Sequence, residues 1–334
     1  MKLLIVSDAW EPQTNGVVTT IKNVTHELEK QGFEILILQP GLFTSFRCPG
    51  YEEIDLSLNL WDVGKHIKAF QPDFMHIAVE GPLGIAARHY MTRRGYKFTT
   101  SFHTKFPEYI NKRLSLIPVS SGYAFLRWFH KPSQKIMVTT PSMERDLKQQ
   151  GFNNMVVWGR GVNTQLYYPN PNRKPTDPKN PVMIYVGRVA VEKSIDDFLK
   201  LDIPGHKIIV GDGPSRVGFQ KRFPNAEFVG FKYGAELRDY FQKADVFVFP
   251  SRTDTFGLVM LEAMACGAPV AAYPVPGPLD VVQQGITGVL NENLALAIEG
   301  ALKLDRQACR DFALQQSWQA CANRLRDQFV SAGL

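Results

Sequence analysis

The chain has few cysteines. Among 334 residues only Cys48, Cys266, Cys309 and Cys321 occur, and they are scattered. They form no C-x-x-C pair and no Cys/His spacing suited to zinc, which sets aside a disulfide scaffold and a metal-organised fold. Free thiols suit a reducing compartment, so the expected location is the cytoplasm. Long apolar runs are also absent: none approaches the roughly 18 residues expected of a spanning helix. The opening MKLLIVSDAW has too short an apolar core for a secretory leader and reads as a first buried strand. No G-x-G-x-x-G follows that strand, where SDAWEPQTNG stands instead, and this argues against a dehydrogenase. Acids are nearly missing from 81–143, where Glu108 stands alone among Lys or Arg at 88, 93, 94, 97, 105, 112, 113, 127, 131 and 135.

That basic segment is interleaved with rings: Phe106, Tyr109, Tyr123, Phe125, Trp128 and Phe129. Cations beside amphipathic rings suit an anionic membrane surface. They also suit a phosphorylated acceptor or a nucleic acid, and the plain alternative is a solvated basic face over an aromatic core. Otherwise the composition, 44% hydrophobic and 21% charged, is that of an ordinary globular protein. The length exceeds what one core usually supports, so two domains are expected.

Apolar strands alternate with helical patterns nearly throughout. The first half holds KLLIVSD (2–8), FEILILQ (33–39), DFMHIAV (73–79), KFTTSF (97–102) and KIMVTT (135–140), and the helical stretch 18–32 ends on a glycine suited to a C-cap. After 169-PNPNRKPTDPKNP-181, whose prolines predict an interdomain linker, the alternation restarts with VMIYVG, HKIIVG, AEFVG, DVFVFP and APVAAY. Continuous apolar strands separated by helices imply parallel sheets covered on both faces. The expected fold is therefore α/β: two doubly wound, Rossmann-like domains facing a cleft, over 1–168 and 182–314. The last segment, 315–334, is expected to be a helix that packs back toward the first domain. Ligands of such domains bind at the carboxyl ends of the strands.

Those ends carry chemistry. After VMIYVG, Arg188 and Lys193 precede a helix opening near Ser194; two cations beside such a terminus could neutralise a diphosphate without a metal, or merely solvate the loop. The Gly-Asp-Gly-Pro turn around Gly213 is a weak nucleotide signal, and Phe231 with Lys232 could border a base. In 251-SRTDTFGLVMLEAMACGAPV-270, Thr253, Asp254 or Thr255 would cap a helix beginning around Phe256. Gly257 would let a ligand approach the main chain, and Glu262 would face it one to two turns on. Acids accepting from hydroxyls and amides donating to oxygens suit a ligand with a sugar at one end and a ribose at the other. The competing reading is a simple cap at Asp254 and a buried, paired acid at Glu262.

The run Asp254-x7-Glu262 resembles the acid-x7-Glu signature of retaining glycosyltransferases of family 4, which have the B-type fold. YVGRVAVEK, VGDGP and ITGVL match in order in the second half. AVEGPLGIAAR, TSFHTKFPEY, RWFH and WGRGVN resemble a subgroup with GDP-mannose-dependent α-mannosyltransferases and sulfoquinovosyl-diacylglycerol synthases. The resemblance implies that Gly16, Arg188 and Lys193 bind the donor diphosphate and that His103 reaches the donor sugar near its reactive carbon. Asp254, Thr255, Phe256, Gly257 and Leu258 would hold the sugar, Glu262 the ribose, and Glu80, Thr104, Lys105 and Tyr109 the acceptor. Asp254 stands where the broad family has Glu, and Asn163 where GVD-type loops have Asp.

The implied reaction moves a hexose from GDP-mannose or a UDP-hexose to an acceptor hydroxyl with retained configuration, needing no metal and no cofactor. The expected acceptor is a lipid or glycolipid on the inner membrane face, the competing one a soluble glycan; nucleic acid would leave the second domain unexplained. With Asp254 assigned to sugar hydroxyls, a same-face mechanism is favoured over double displacement. A sugar-nucleotide epimerase and an inactive nucleotide-binding module are the remaining rivals.

Overall fold

The computed structural model describes residues 1–13, 16–48, 51–103, 118–252 and 256–334. Two compact units divide the chain, Met1–Gly159 together with Trp318–Leu334, and Arg160–Ser317.

The first unit is built on a six-stranded parallel sheet of β1 (Lys2–Val6), β2 (Glu34–Leu38), β5 (Phe74–Ile77), β6 (Thr99–Phe102), β7 (Ile136–Val138) and β8 (Met155–Val157). Their spatial order is β2-β1-β5-β6-β7-β8, and a separate hairpin joins β3 (Ser45–Cys48) to β4 (Tyr51–Ser57). Side chains alternate across a strand, so the run in β1 serves two cores. Leu4 and Val6 pack with Ile67, Leu83, Ala87 and Met91, while Leu3 and Ile5 pack with Ile21, Val24 and Leu28. The last three lie on the helix Gly16–Lys30 at the three-to-four-residue spacing of one helical face. The helix Trp318–Arg326 adds Trp318, Cys321, Ala322 and Leu325 to the same core, so the end of the chain belongs to the first unit.

The second unit has its own parallel sheet: β9 (Val182–Val186), β10 (His206–Val210), β11 (Glu227–Gly230), β12 (Val246–Phe249), β13 (Val270–Ala272) and β14 (Gly288–Leu290). The order β11-β10-β9-β12-β13-β14 is the Rossmann arrangement, with its reversal between β9 and β12.

Three expectations need correction. The proline-rich segment 169–181 is not a free linker. Arg173 and Thr176 both bond to the buried carboxylate of Asp245, which also accepts from Val182 N at 2.7 Å, so the segment lies on the second unit. The unit boundaries fall instead at 159/160 and 317/318. Prolines excluded helix and inner strand there, but a buried acid supplied the partners that hold an extended chain in place. The strands β8 and β14 and the hairpin were also missed, because three-residue strands and a largely polar hairpin leave no long apolar run.

Candidate functional site

At the reversal point of the second unit, the loops after adjacent strands are laced together by main-chain bonds. Gly187 N donates to Val210 O at 3.0 Å, Val189 N to Asp212 O at 2.9 Å, and Gly211 N to Gly230 O at 2.8 Å. A Cβ on Gly211 would meet Gly187 O and one on Gly213 would meet Val189 O, so both positions must stay small. Asp212 is held below the usual carboxylate range by the Gly213 N–H and by Arg216, whose Nη1 lies 2.6 Å away. On this nested floor Arg188 is exposed, and Lys193 follows in the short turn Val191–Lys193 before the helix Ile195–Leu199. Past β11, Phe231 and Tyr233 expose stacked rings with centroids 6.0 Å apart, and Lys232 pairs with Glu236 at 3.3 Å.

After β12 the helix is Leu258–Ala265, two residues later than the expected start. Its N-cap position is Gly257 at φ 78°, a left-handed conformation that favours glycine; Thr253, Asp254 and Thr255, the expected caps, lie outside the described residues. Phe256 packs against the core, and a Cβ on Gly257 would come within 2.8 Å of Met260 Cε and 3.0 Å of Phe249 Cζ. Ser251, fully buried at the strand end, has no partner for its hydroxyl among the described residues. Glu262 lies one turn into the helix. Burial pushes its carboxyl up to about 7, against the lowering effect of a hydrogen bond from Tyr167. Tyr167 is in turn fixed by Arg310, whose Nη1 donates to Tyr167 O at 2.8 Å and to Ala265 O at 3.0 Å.

In the first unit the strand order reverses between β1 and β5. Asp8, just past β1, accepts from Leu83 N at 2.8 Å and Gly84 N at 3.1 Å and so caps the helix Pro82–Arg93. Gly81 must be small because a Cβ would press on the Asp8 carboxyl, 2.5 Å from Oδ2. Burial raises Asp8 to about 6, and the charge of Glu80 adds to the shift. Gly16 opens its helix on the surface above the same sheet end. His103, buried just past β6, borders a small cavity with His76, Ala78 and Trp158. His76 is bonded by Thr99 and Ser101 at 2.8 Å each, and desolvation lowers it to about 3, so it stays neutral.

The structure thus brings Arg188, Lys193, Gly213, Phe231, Lys232, Phe256, Gly257, Leu258 and Glu262 to the carboxyl ends of one sheet, and Gly16, Glu80 and His103 to those of the other. Thr104, Lys105, Tyr109, Asp254 and Thr255 lie outside the described residues. Asp8, His130, Tyr167 and Tyr233 escaped sequence reasoning; only Asp8, ending an apolar strand in SDAW, and Tyr233, two residues past Phe231, carried a local signal. The basic segment is partly core. Tyr123 and Phe129 are buried, and Arg88 is also buried, donating to Phe129 O at 2.9 Å and Trp128 O at 2.6 Å. Asn163 gives its loop the turn bonds an aspartate would, accepting from Gln165 N at 3.1 Å and Leu166 N at 3.0 Å.

Comparison with known families accounts for both halves. Residues 14–166 match the family described as Glycosyltransferase Family 4, and residues 180–304 the one described as Glycosyl transferases group 1. The chain belongs to glycosyltransferase family 4. This glycosyltransferase is 27% identical to a GDP-mannose-dependent alpha-mannosyltransferase of Mycobacterium tuberculosis, over 87% of this chain and 83% of that one. It is 29% identical to the sulfoquinovosyl transferase SQD2 of Arabidopsis thaliana, over 96% and 71%. Among solved structures, the sucrose-phosphate synthase of Thermosynechococcus elongatus superposes with a TM-score of 0.72 at 18% identity, covering 98% and 97% of the two chains. HepE of Anabaena in complex with UDP gives 0.71 at 16%, covering 98% and 99%. The glycosyltransferase has the B-type fold of two Rossmann-like domains.

Proposed function

We propose that this glycosyltransferase transfers a hexose from a nucleotide-diphosphate donor, GDP-mannose or a UDP-hexose, to a hydroxyl of a lipid or glycolipid, with the anomeric configuration retained. The observation that carries the reading is the placing of two cations, Arg188 and Lys193, on the glycine-lined floor at the reversal point of the second sheet, with Glu262 on the next element. As the donor's sugar–phosphate bond breaks, negative charge grows on the diphosphate. The two side chains stabilise it there and take the part a metal ion would otherwise play. Glu262 accepts from the ribose hydroxyls, and the stacked Phe231 and Tyr233 offer a ledge for the base. Asp254, Thr255 and the main chain of Phe256, Gly257 and Leu258 hold the sugar, and His103 lies against its reactive carbon, steadying the positive charge that develops as the leaving phosphate helps deprotonate the acceptor. Glu80, with Thr104, Lys105 and Tyr109, receives the acceptor.

The lipid acceptor draws support from the surface of the helix Val119–His130, which exposes Phe125 and Trp128 beside Arg127 and Lys131. Among the described residues no helix is long and apolar enough to cross a membrane. Peripheral attachment is the mode this surface suits.

The test is a melting panel of GDP- and UDP-sugars, since a ligand that binds only the folded state raises Tm. The stabilising donor is then assayed with diacylglycerol, a glycolipid and a soluble glycan, with and without chelator. A single nucleotide series that stabilises the protein, and an axial-retained product on lipid that survives the chelator, are expected. Stabilisation by no donor, or an inverted product, overturns the reading.

A further inference from the structure

The RWFH motif at 127–130 has no place in the reaction described so far, yet its histidine is among the most enclosed polar groups of the first unit. His130 is 1% exposed and ringed by Phe102, Phe129 and Phe152. Its Nδ1 lies 2.8 Å from Thr100 Oγ1 and its Nε2 3.3 Å from Glu80 Oε1. Thr100 Oγ1 is also 3.0 Å from Ser133 Oγ, and Ser133 Oγ donates to Lys135 O at 2.6 Å.

These contacts can be counted in hydrogens. A carbonyl oxygen only accepts, so the Ser133 hydrogen is committed to Lys135 O. The Thr100–Ser133 contact then needs the Thr100 hydrogen, and the His130 Nδ1 contact needs a hydrogen on Nδ1. With Nδ1 as donor, a neutral ring would turn the bare lone pair of Nε2 toward a carboxylate oxygen, two acceptors in contact. The other neutral tautomer donates to Glu80 but draws the Thr100 hydrogen to Nδ1, leaving Thr100 and Ser133 with none between them. With Glu80 ionised, every contact has its hydrogen in one assignment alone: both ring nitrogens protonated. An imidazolium in so apolar a setting needs a carboxylate partner, and Glu80 is that partner.

We propose that His130 is a positioning residue, an enclosed imidazolium that pins one oxygen of Glu80 and so aims the other at the acceptor hydroxyl. The Glu80 carboxylate is one-fifth exposed at the reversal point of the sheet, and its second oxygen has no hydrogen-bond partner among the described residues. Neighbouring Asp8 is occupied with Leu83 N and Gly84 N, and Arg88 with the carbonyls of Trp128 and Phe129, so neither competes for Glu80. The aim toward acceptor rests on the function proposed above; the protonated pair does not.

Two measurements on the full chain separate these. The first is nitrogen-resolved NMR of the histidine rings at pH 7 in protein carrying labelled histidine, with His130 assigned through His130→Phe. Both His130 ring nitrogens should appear protonated in the wild type. In Glu80→Gln the amide N–H can donate to a bare Nε2, so only Nδ1 should remain protonated. A wild-type ring with one bare nitrogen overturns the pair. The second is steady-state transfer by variants whose melting is intact. His130→Phe should raise the acceptor KM about tenfold, as expected for loss of a charge-assisted contact. The donor KM should stay unchanged, and His130→Gln, whose amide can still donate to Glu80, should recover part of the loss. An unchanged acceptor KM in His130→Phe overturns the positioning role. If no donor and acceptor react at all, the functional reading fails while the ring spectrum still decides the pair.

Discussion

At the scale of single residues, the second unit sets an exposed Arg188 and a half-buried Lys193 at its strand ends, and each unit holds an acid that burial keeps from ionising. Glu262 is the clearest case, raised from 4.5 to about 7. The folded protein keeps a proton on this group that the unfolded chain has already lost, so between those values folding takes up a proton. Its contribution is therefore most favourable below about 4.5 and declines as pH rises through about 7. Asp8, raised from 3.8 to about 6, acts in the same direction. Melting of the unliganded protein should thus fall between pH 5 and 8, and Glu262→Gln should flatten that decline by an amount on the order of 1–3 kcal/mol. An unaltered slope in calorimetric scans of the variant would falsify the assignment. In the role proposed for Glu262, the same substitution should weaken the donor, because an amide offers the ribose hydroxyls one acceptor oxygen where a carboxyl group offers two. His103 sits differently, enclosed beside Trp158 with ring centroids 6.1 Å apart. His103→Ala should lower turnover by about 10²-fold or more and leave donor KM nearly unmoved, the pattern of a contact made chiefly in the transition state. A matched loss in donor affinity, measured by titration, would instead make it a binding residue.

At the scale of elements, one helix carries two tasks on two faces. Along Val119–His130, Tyr123, Leu126, Phe129 and His130 turn inward at helical spacing, while Phe125 and Trp128 turn outward. Phe125 stays in ring contact with Trp128 at 5.7 Å, and the Arg88 guanidinium lies 3.9 Å over the Trp128 ring. The inward face supplies the partner of Glu80, and the outward one suits a membrane interface, where rings and cations together gain most. Replacing Phe125 and Trp128 by serine should abolish sedimentation with anionic vesicles and leave turnover on a detergent-dispersed acceptor within about twofold, since neither ring is in the core. Equal sedimentation of variant and wild type would remove this helix from any membrane role.

At the scale of the whole molecule, the chain leaves its first unit at Gly159 and returns to it at Trp318. The returning helix covers Ile21, Val24 and Leu28, and Arg324 Nε donates to Trp158 O at 2.8 Å. A fragment of residues 1–159 therefore exposes an apolar face that the complete unit buries. It should aggregate or lack a cooperative melt, whereas 160–317, with a full core of its own, should unfold in one transition. Joining 318–334 to 1–159 through a short Gly/Ser linker should restore a cooperative transition in the first fragment. Cooperative melting of 1–159 alone would show that the returning helix is dispensable.

What the sequence determined by itself was whatever lies within a short window: continuous apolar strands, helices with one apolar face, glycines at strand ends, and the ordered motifs that place the chain in its family. Each is local because it follows from how neighbouring side chains share a strand or a turn. Only the tertiary structure decided which distant groups meet. Glu80 and His130 are 50 positions apart, and no pattern in either EGPLG or RWFH states that the ring of one will meet the carboxylate of the other. Tyr167 meets Glu262 across a domain's width of sequence, and Asp245 turned an expected linker into part of a unit. Burial, and with it the proton held on Glu262, arises only when separate elements pack together and exclude water.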